Sequence, residues 1–330
     1  METVLKTLDE VEELAAGVLS AHGCDAENAA SVAATMRAAE RDGSASHGLF
    51  RLPGHVALLK AKVVNGHAKP TLEPLAPSAL RVRGDDGFAP RALAVGVPAL
   101  TEMARAQGVA ALALTRVVHY AALWPEAEAL AEQGLVAIAC TSSPPYVAAA
   151  GGRRPVFGTN PMAFAWPRPG RAPMVWDQAS AAMARGEVML HAREGHAVPE
   201  TAGIDADGRP TTDPNAILKG GAQLPFGGYK GAAIALMVDL LAGPLLGEVT
   251  SLEAGASASV GGPQLGGQFV LAIDPAKMGG DATRAEALFS ALLAEEGVRL
   301  PGDRRLANRG RTPVEGVAVP VSLLREIDAL

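Results

Sequence analysis

The residues best suited to chemistry lie in one short stretch, Ala45–Gly54, which places Ser46, His47 and Arg51 within six positions. In a helix, His47 and Arg51 would lie four residues apart on the same face. A guanidinium can hold a carboxylate through two parallel hydrogen bonds, and an imidazole beside it can transfer a proton to the next atom. Ser46 could orient that imidazole. The stretch therefore suits a small carboxylate, although a surface helix with an ordinary His and an ordinary Arg has the same spacing.

Composition limits the classes of protein. The chain has 330 residues, which favours two subdomains or one large interlocked unit. Its net charge of -6 and its aromatic content of 4% argue against a surface that binds nucleic acid. Two distant cysteines, a start unlike a signal peptide, and no apolar run of the roughly eighteen residues that a membrane span needs predict a cytoplasmic protein with no membrane partner.

The elements that must position these residues follow from apolar periodicity. Helices are predicted at 4–21 and 25–40, with Asp25 as N-cap and Gly43 as the stop. A third helix is predicted through the Ser46–Arg51 stretch and on to Asn65-Gly66. Further along we predict these strands and helices: strands 79–82, 109–117, 135–141, 162–165, 174–176 and 268–273, and helices 91–106, 121–133, 180–193, 229–241, 282–295 and 322–329. A turn is expected at Asp85–Gly87 and a mobile loop at Gly255–Gly267. The alternation predicts an α/β fold with a largely buried sheet.

The sequence lacks the common glycine-rich motifs that bind nucleotides. The glycine fingerprint Gly-x-Gly-x-x-Gly, which binds dinucleotides between a strand and a helix, does not occur in the sequence, and neither does a P-loop. The glycine cluster at Gly261–Gly267 contains a proline and has the wrong flanks. Either no dinucleotide binds, or an unusual fold binds it.

Three other segments could bind an anion or a cofactor. His119 lies at a strand-to-helix junction, where a phosphate or a nicotinamide could meet helix N–H groups, although a capping or exposed His is equally consistent. Leu224–Gly231 places three glycines and a lysine before a long apolar helix, as an anion cradle or as a plain glycine-rich loop would. Arg299–Arg305 holds three guanidiniums, which suits a phosphate, including a 2′-phosphate, or a solvated charge run.

Taken together, these motifs resemble one family over nearly the whole chain: the malate/L-lactate dehydrogenase-like (type 2) oxidoreductases, which lack the Rossmann fingerprint. The matching segments are Ser46-His47-Gly48 with Arg51, His119–Leu123, Phe157–Pro161, Pro210–Pro214, Leu224–Gly231 and Pro301–Arg305. Within the family the resemblance is closest to the reductases of cyclic imino acids. The segments that indicate this branch are Arg41–Gly43, Phe50–Gly54, Ala121–Pro125 and Arg299–Arg305.

The resemblance implies a role for each matching residue. His47 is the proton donor, with Ser46 and Glu187 as its relay. Arg51 holds the substrate carboxylate, helped by Thr159, Arg185 and Gly186. The NADPH site is expected to comprise His119, Tyr120, Ala121, Ala122, Leu123, Asp177, Gln178, Ala179, Tyr229, Lys230, Arg299, Leu300, Pro301, Gly302, Asp303, Arg304 and Arg305. No metal ligand is predicted.

The same resemblance implies the reaction. With NADPH, or more weakly with NADH, such an enzyme reduces Δ1-piperideine-2-carboxylate to L-pipecolate and Δ1-pyrroline-2-carboxylate to L-proline. The alternatives are a 2-oxo acid or 2-hydroxy acid dehydrogenase of the malate or lactate type, formation of an N-methyl amino acid from a 2-oxo acid and methylamine, and a catalytically silent relative.

The resemblance also implies an architecture. We expect a non-Rossmann α/β fold with a helical substrate-side domain at 1–75, joined by residues 298–330, and a mixed-sheet domain at 76–297 that binds NADPH. A homodimer is expected, with the site between the two domains.

Some positions depart from the family pattern. Glu187 stands where the relay acid is usually Asp, which keeps the charge and adds one methylene group. Asp177–Ala181 reads Asp-Gln-Ala-Ser-Ala in place of the more usual Asp-Met-Ala-Thr-Ser, Val118 stands at an often polar position, and Arg185 replaces a residue that is often smaller or neutral.

Overall fold

The computed structural model describes residues 2–119, 121–256 and 266–330. The α-helices are α1 (Leu8–Ala21), α2 (Ala26–Arg41), α3 (Leu52–Lys60), α4 (Ala89–Gln107), α5 (Trp124–Glu132), α6 (Arg185–Glu194), α7 (Pro214–Leu218), α8 (Tyr229–Ala242), α9 (Ser251–Ala256), α10 (Ala285–Leu293), α11 (Asp303–Glu315) and α12 (Val321–Asp328). The strands are β1 (Thr3–Lys6), β2 (Thr71–Ala76), β3 (Ala79–Phe88), β4 (Val109–Val118), β5 (Val136–Thr141), β6 (Val147–Ala148), β7 (Pro155–Phe157), β8 (Met162–Trp166), β9 (Met174–Gln178), β10 (Gly203–Ile204), β11 (Ala222–Gln223), β12 (Gly266–Ile273) and β13 (Val317–Pro320).

The sheets are mixed. Within the described residues, the largest sheet has seven strands in the order β2-β3-β4-β12-β5-β8-β9, and β3 pairs antiparallel with β2 and parallel with β4. A smaller sheet has the order β10-β11-β6-β7, and β1 pairs with β13. The predicted α/β fold with a mixed sheet is therefore confirmed. The main core lies where α4 and α5 cover the large sheet, with Leu100, Leu112, Leu114 and Leu130 fully buried.

The chain divides into two compact units by the density of its internal contacts. The first unit comprises Met1–Ala139, Ala163–Trp176 and Val270–Leu330, and the second comprises Cys140–Met162 and Asp177–Phe269. The N-terminal helices thus share a unit with most of the large sheet, whereas the sequence analysis separated residues 1–75 from the sheet. The domain boundaries assigned there remain a prediction.

The predicted N-terminal helix begins later than expected. Thr7 forms a capping box with Glu10, accepting its N–H at 3.1 Å and donating its own N–H to the carboxylate at 2.7 Å, so α1 starts at Leu8. Residues Thr3–Lys6 instead form β1. The prediction for α2 is confirmed, because the carboxylate of Asp25 accepts the N–H of Asn28 at 2.9 Å.

Gly43 follows α2 and prevents the helix from continuing, as predicted. It has φ +73°, a conformation that favours glycine, and an added Cβ would collide with the side-chain amide of Asn308.

The prediction of a turn at Asp85–Gly87 is wrong, because Asp85 and Asp86 form an irregularity within β3. Both have positive φ, and the pairing with β4 changes register between Arg83 and Gly87.

One segment in the later part of the chain is strongly apolar. The 18-residue segment Tyr229–Leu246 is apolar enough to qualify as a membrane span, with a mean hydropathy of 1.4, contrary to the expectation that no such run exists. Its α-helix, however, has only 14 residues, or roughly 21 Å, which is less than the ~30 Å apolar core of a bilayer.

The loop predicted at Gly255–Gly267 lies mostly at residues 257–265, outside the described residues.

Candidate active site

The Ser46–Arg51 stretch is not the continuous helix that its spacing predicts. It forms two short 3-10 turns, Ala45–His47 and Leu49–Arg51, and α3 begins only at Leu52. The break lies at Gly48, whose φ of -91° and ψ of -139° are not helical. Pro53 then occupies the first turn of α3, where its missing N–H costs no hydrogen bond.

The two turns nevertheless bring the three predicted residues together. The Ser46 Oγ lies 3.1 Å from Nδ1 of His47. The Nε of Arg51 donates to the carbonyl of Ser46 at 2.7 Å, and the backbone N–H of Arg51 donates to Gly48 at 2.9 Å. A hydroxyl therefore holds the imidazole, and the guanidinium is fixed to the same turn.

The surroundings of His47 keep its imidazole neutral. The pKa of His47 is lowered from 6.5 to about 3, mainly by burial, and the electrostatic interactions with Arg51 and His119 contribute in the same direction. Trp124 presents its ring to the imidazole edge to face, with the ring centroids 6.5 Å apart and the planes at 88°. In the tautomer in which the Ser46 hydroxyl donates to Nδ1, the remaining proton is on Nε2.

A cavity of about 410 Å³ lies between α2, α4 and α5. Its walls are mostly apolar. Its polar lining includes His119 and Glu126, whose side chains are almost fully buried with Nε2 and Oε1 3.6 Å apart. A much smaller space touches His47 and His55 and shares Thr35, Pro90 and Ala121 with this cavity as lining. The cavity therefore lies next to the small space that His47 lines.

The predicted cofactor segment 119–123 is described except for Tyr120, which lies outside the described residues. His119 follows β4 directly, Ala122 and Leu123 are buried, and α5 begins at Trp124. The strand-to-helix junction predicted for His119 is confirmed, with the helix starting three residues later than expected.

The Arg299–Arg305 segment separates into exposed and structural residues. Arg299, Pro301 and Arg304 are exposed, and Leu300 is buried with its N–H donating to Asp303 at 2.8 Å. Gly302 has φ +94°, and a Cβ there would lie 2.9 Å from the carbonyl of Val175.

Arg305 differs from the other two guanidiniums. Its Nη2 donates to the carbonyl of Val175 at 2.6 Å, and its Cζ lies 5.1 Å from the ring centroid of Trp124. Arg305 thus packs against the protein, whereas Arg299 and Arg304 face solvent.

Thr159 lies in the second unit, in a densely hydrogen-bonded turn. Its N–H donates to the Ser143 hydroxyl at 3.0 Å, and its carbonyl accepts the N–H of Ser180 at 2.7 Å. The next residue, Asn160, is fully buried with φ +37° and donates to the carbonyl of Ala235 and to Asp239. The buried amide fixes the backbone that carries Thr159.

Arg185, Gly186 and Glu187 form the first turn of α6, also in the second unit. The Arg185 guanidinium lies 3.6 Å from the centroid of the Tyr146 ring. Gly186 is buried and Glu187 is exposed. The helix begins five residues later than predicted, so these residues stand at its N-terminus and not in its middle.

The remaining predicted cofactor residues are also in the second unit. Asp177 and Gln178 end β9, and Ala179 follows. Tyr229 and Lys230 begin α8 after Gly227 and Gly228, both of which have positive φ. Tyr229 is 72% exposed. The prediction that a glycine loop opens this helix is confirmed.

The structure contains a buried ionic cluster that was not predicted from the sequence. Arg309 on α11 donates to both oxygens of Asp42 at 2.8 and 2.6 Å and to both oxygens of Glu128 at 3.0 and 2.6 Å. Trp124 Nε1 donates to Asp42 at 3.1 Å. Burial acts to raise the pKa of Asp42, but the hydrogen bonds from Arg309 and Arg41 hold it below its usual value. No short-range pattern indicated this cluster, and α11 itself was missed because its sequence is strongly polar.

In sum, the first unit brings together Ser46, His47 and Arg51, with His119 close enough to affect the charge of His47. Thr159, Arg185, Gly186, Glu187, Asp177–Ala179, Tyr229 and Lys230 belong to the second unit. In the described residues no group of three or more His, Cys, Asp or Glu side chains has the geometry of a metal site.

The family model described as malate/L-lactate dehydrogenase matches residues 7–328, and the chain belongs to this family. It is 50% identical, over 98% of both chains, to a Δ1-pyrroline-2-carboxylate/Δ1-piperideine-2-carboxylate reductase of Pseudomonas aeruginosa. It is 45% identical to a Δ1-pyrroline-2-carboxylate reductase of Pseudomonas fluorescens, over 100% of this chain and 99% of the relative.

A solved structure supports the same relationship. The crystal structure of a Δ1-piperideine-2-carboxylate reductase from Pseudomonas syringae matches 99% of both chains, with a TM-score of 0.93 and 41% sequence identity.

Proposed function

We propose that this protein is an oxidoreductase that reduces the C=N bond of cyclic imino acids, converting Δ1-pyrroline-2-carboxylate to L-proline and Δ1-piperideine-2-carboxylate to L-pipecolate. The observation that carries the proposal is 50% identity, across 98% of both chains, to a reductase named for both substrates. The geometry agrees with it, because a proton-carrying imidazole and a guanidinium are fixed on the same pair of turns.

Arg51 is the proposed anchor of the substrate carboxylate, with Thr159, Arg185 and Gly186 as further substrate contacts. An anion against Arg51 offsets the positive charge that helps to keep the pKa of His47 low. Substrate binding therefore removes the Arg51 contribution to the low pKa of His47 and favours addition of a second proton to the ring. His47 then donates a proton to the ring nitrogen as the imine becomes an amine, while Ser46 holds Nδ1 and Glu187 serves as the relay acid.

The residues present fit NADPH. Arg299 and Arg304 are two solvent-facing guanidiniums in one segment, which suits a 2′-phosphate. The apolar cavity with the His119–Glu126 pair suits a flat, weakly polar ring. When bound, NADPH supplies the hydride that reduces the imine carbon. The other proposed contacts are Tyr120–Leu123, Asp177–Ala179, Tyr229-Lys230, Leu300–Asp303 and Arg305. NADH is a weaker second cofactor in this proposal.

A second copy of the chain is the proposed partner. The outer face of α8 and the turn after it expose Leu236, Met237, Leu240 and Leu245, each between 41% and 60% exposed. Large contiguous apolar faces are typical of protein–protein contacts. A homodimer that covers this face, and a location in the cytoplasm, complete the proposal.

A substrate panel tests the function. The purified protein is assayed for oxidation of NADPH with Δ1-piperideine-2-carboxylate, Δ1-pyrroline-2-carboxylate, pyruvate plus methylamine, pyruvate and oxaloacetate. The proposal requires turnover of both cyclic imines at higher kcat/KM than any open-chain acid. Turnover of pyruvate or oxaloacetate alone would instead establish the 2-oxo acid alternative, in which His47 protonates a carbonyl oxygen. NADPH binding without turnover of any compound would contradict both.

A further inference from the structure

Glu40 is a buried acid beside the catalytic turns. It lies in the last turn of α2 and is only 9% exposed. Its Oε1 accepts the backbone N–H of Leu49 at 2.8 Å. A Cβ added to Gly48 would collide with the carboxyl group of Glu40, so the carboxyl fills the space that the glycine leaves open. Glu40 therefore contacts the two residues that separate His47 from Phe50.

The backbone of the turns has mostly local hydrogen bonds. His47 donates to Ser44, Gly48 donates to Ala45, and Arg51 donates to Gly48. Short 3-10 turns have poor hydrogen-bond geometry and depend on outside contacts to hold one conformation. The Leu49 N–H lies at the junction between the turn that carries His47 and the turn that carries Arg51, and its acceptor is a side chain of α2.

We infer that Glu40 is a positioning residue for the proposed imine reduction, because its carboxyl oxygen fixes the junction between the two turns and so sets the separation of His47 from Arg51. The inference rests on the proposed function, since it concerns the geometry of the proposed proton donor and carboxylate anchor. Glu40 acts through the backbone of Leu49 and the surface of Gly48.

The cost of burial is consistent with a specific role. Burial raises the pKa of Glu40 to about 7, and the hydrogen bond from Leu49 only partly opposes this. A hydrogen bond from a buried backbone N–H needs an acceptor, because an unsatisfied buried donor costs about 1–3 kcal/mol. Either protonation state of Glu40 retains an oxygen that can accept it.

The test compares Glu40→Ala, Glu40→Gln and the exposed control Glu13→Ala, using NADPH and Δ1-piperideine-2-carboxylate. Because small misplacements of catalytic groups cost up to about 100-fold, Glu40→Ala is expected to lower kcat at least about tenfold while leaving the KM for NADPH within about twofold. Glu40→Gln keeps an acceptor oxygen of the same reach, so it is expected to restore kcat to within about threefold of wild type. Glu13→Ala is expected to match wild type.

Two results would overturn the inference: wild-type kcat in Glu40→Ala, or an equal loss in Glu40→Gln and Glu40→Ala. If Glu40→Ala does not fold, Gly48→Ala makes the same test, because its methyl group would occupy the space of the Glu40 carboxyl and so displace that acceptor from the Leu49 N–H; unchanged kcat in Gly48→Ala would contradict the inference. The assay of the wild-type protein distinguishes failure of the positioning role from failure of the proposed function. Wild-type turnover with an unaffected Glu40→Ala refutes the positioning role alone, whereas absence of wild-type turnover refutes the proposed function with it.

Discussion

Arg309 and Asp42 form a bidentate ion pair across 267 residues of sequence, with Nε and Nη2 of the arginine donating to the two carboxylate oxygens at 2.8 and 2.6 Å. The side chain of Asp42 is completely buried, and it also accepts the indole N–H of Trp124, whose ring meets that of His47. The pair thus joins α11, which follows directly on Leu300–Gly302, to the end of α2 that leads into the turns carrying His47 and Arg51. Removing it should affect stability before it affects chemistry.

We therefore predict that Arg309→Leu destabilises the fold by about 3–5 kcal/mol, because it leaves the buried carboxylates of Asp42 and Glu128 without their main partner. Arg309→Lys should recover only part of this loss, since an ammonium cannot make both bidentate pairs. The measurement is the free energy of unfolding in urea. Arg311→Leu on the same helix, where the arginine is exposed, is the control and should cost under about 1 kcal/mol. Equal stability of Arg309→Leu and Arg311→Leu would show that the cluster contributes nothing.

The charge of Arg51 should be visible in the titration of His47. Burial is the larger cause of the low pKa of His47, and Arg51 is the next. Arg51→Met should raise that pKa above about 3 while leaving it below 6.5, because the burial remains. Binding of L-pipecolate to the wild-type protein should shift it in the same direction. Ring nitrogen chemical shifts in NMR report the titration, with Arg37→Met on the surface as the control. No difference between Arg51→Met and Arg37→Met would refute the proposed charge coupling.

Acid should destabilise the protein through its buried histidines. His55 is buried against Phe88, and its Nδ1 lies 2.9 Å from the carbonyl of Arg51. Burial is the main cause that lowers its pKa from 6.5 to about 4. Between these values the unfolded chain binds more protons than the folded one, so stability falls as the pH falls from 6.5 toward 4, and His47 acts in the same sense.

Replacing His55 should reduce this acid sensitivity. Glutamine does not titrate and can still donate to the Arg51 carbonyl, so His55→Gln should show a smaller loss of unfolding free energy over this pH range than wild type. Urea midpoints measured at the two ends of the range give the comparison, and the exposed His67→Gln is the control. An unchanged slope in His55→Gln would mean that folding does not shift the pKa of His55, contrary to this account.

Cofactor choice should depend on the two exposed arginines. If Arg299 and Arg304 hold the 2′-phosphate, each change to Ala should raise the KM for NADPH by about 10–100-fold, the value of one or two charge-assisted hydrogen bonds, and leave the KM for NADH nearly unchanged. Arg305→Ala should also lower stability, because Arg305, besides its proposed cofactor contact, holds Val175 and Trp124. Arg311→Ala is the matched control. An equal effect on NADPH and NADH would place the 2′-phosphate elsewhere.

The sequence indicated much of this arrangement through local patterns. The N-cap at Asp25, the stop at Gly43 and the strands at 109–117 and 135–141 are all decided within a few residues, by capping, backbone conformation and apolar runs. The Ser46–His47–Arg51 cluster was found from residue types and spacing. Its conformation was predicted wrongly, because helical spacing does not reveal the break that Gly48 introduces.

Long-range contacts explain what the sequence could not show. The pairing of Thr3–Lys6 with Val317–Pro320 overrides the helical periodicity at the N-terminus. Asn160 belongs to the Phe157–Pro161 segment that matches the family, and only the fold shows that its amide is buried against Ala235 and Asp239. In the Arg299–Arg305 segment, three identical guanidiniums divide into two that face solvent and one that packs on Trp124, a difference that depends on residues far away in the chain.

The most direct test of the central claim follows the hydride and the proton together. Wild-type protein and His47→Ala are supplied with NADPH that carries deuterium at the transferable position, together with Δ1-piperideine-2-carboxylate, and the product is separated by chirality and analysed by mass spectrometry. The account predicts L-pipecolate with one deuterium at C2 from wild type, and a rate at least about 100-fold lower from His47→Ala, since general acid catalysis contributes about 10²–10⁴-fold. Formation of no deuterated L-pipecolate by the wild-type protein, or an undiminished rate in His47→Ala, would contradict it.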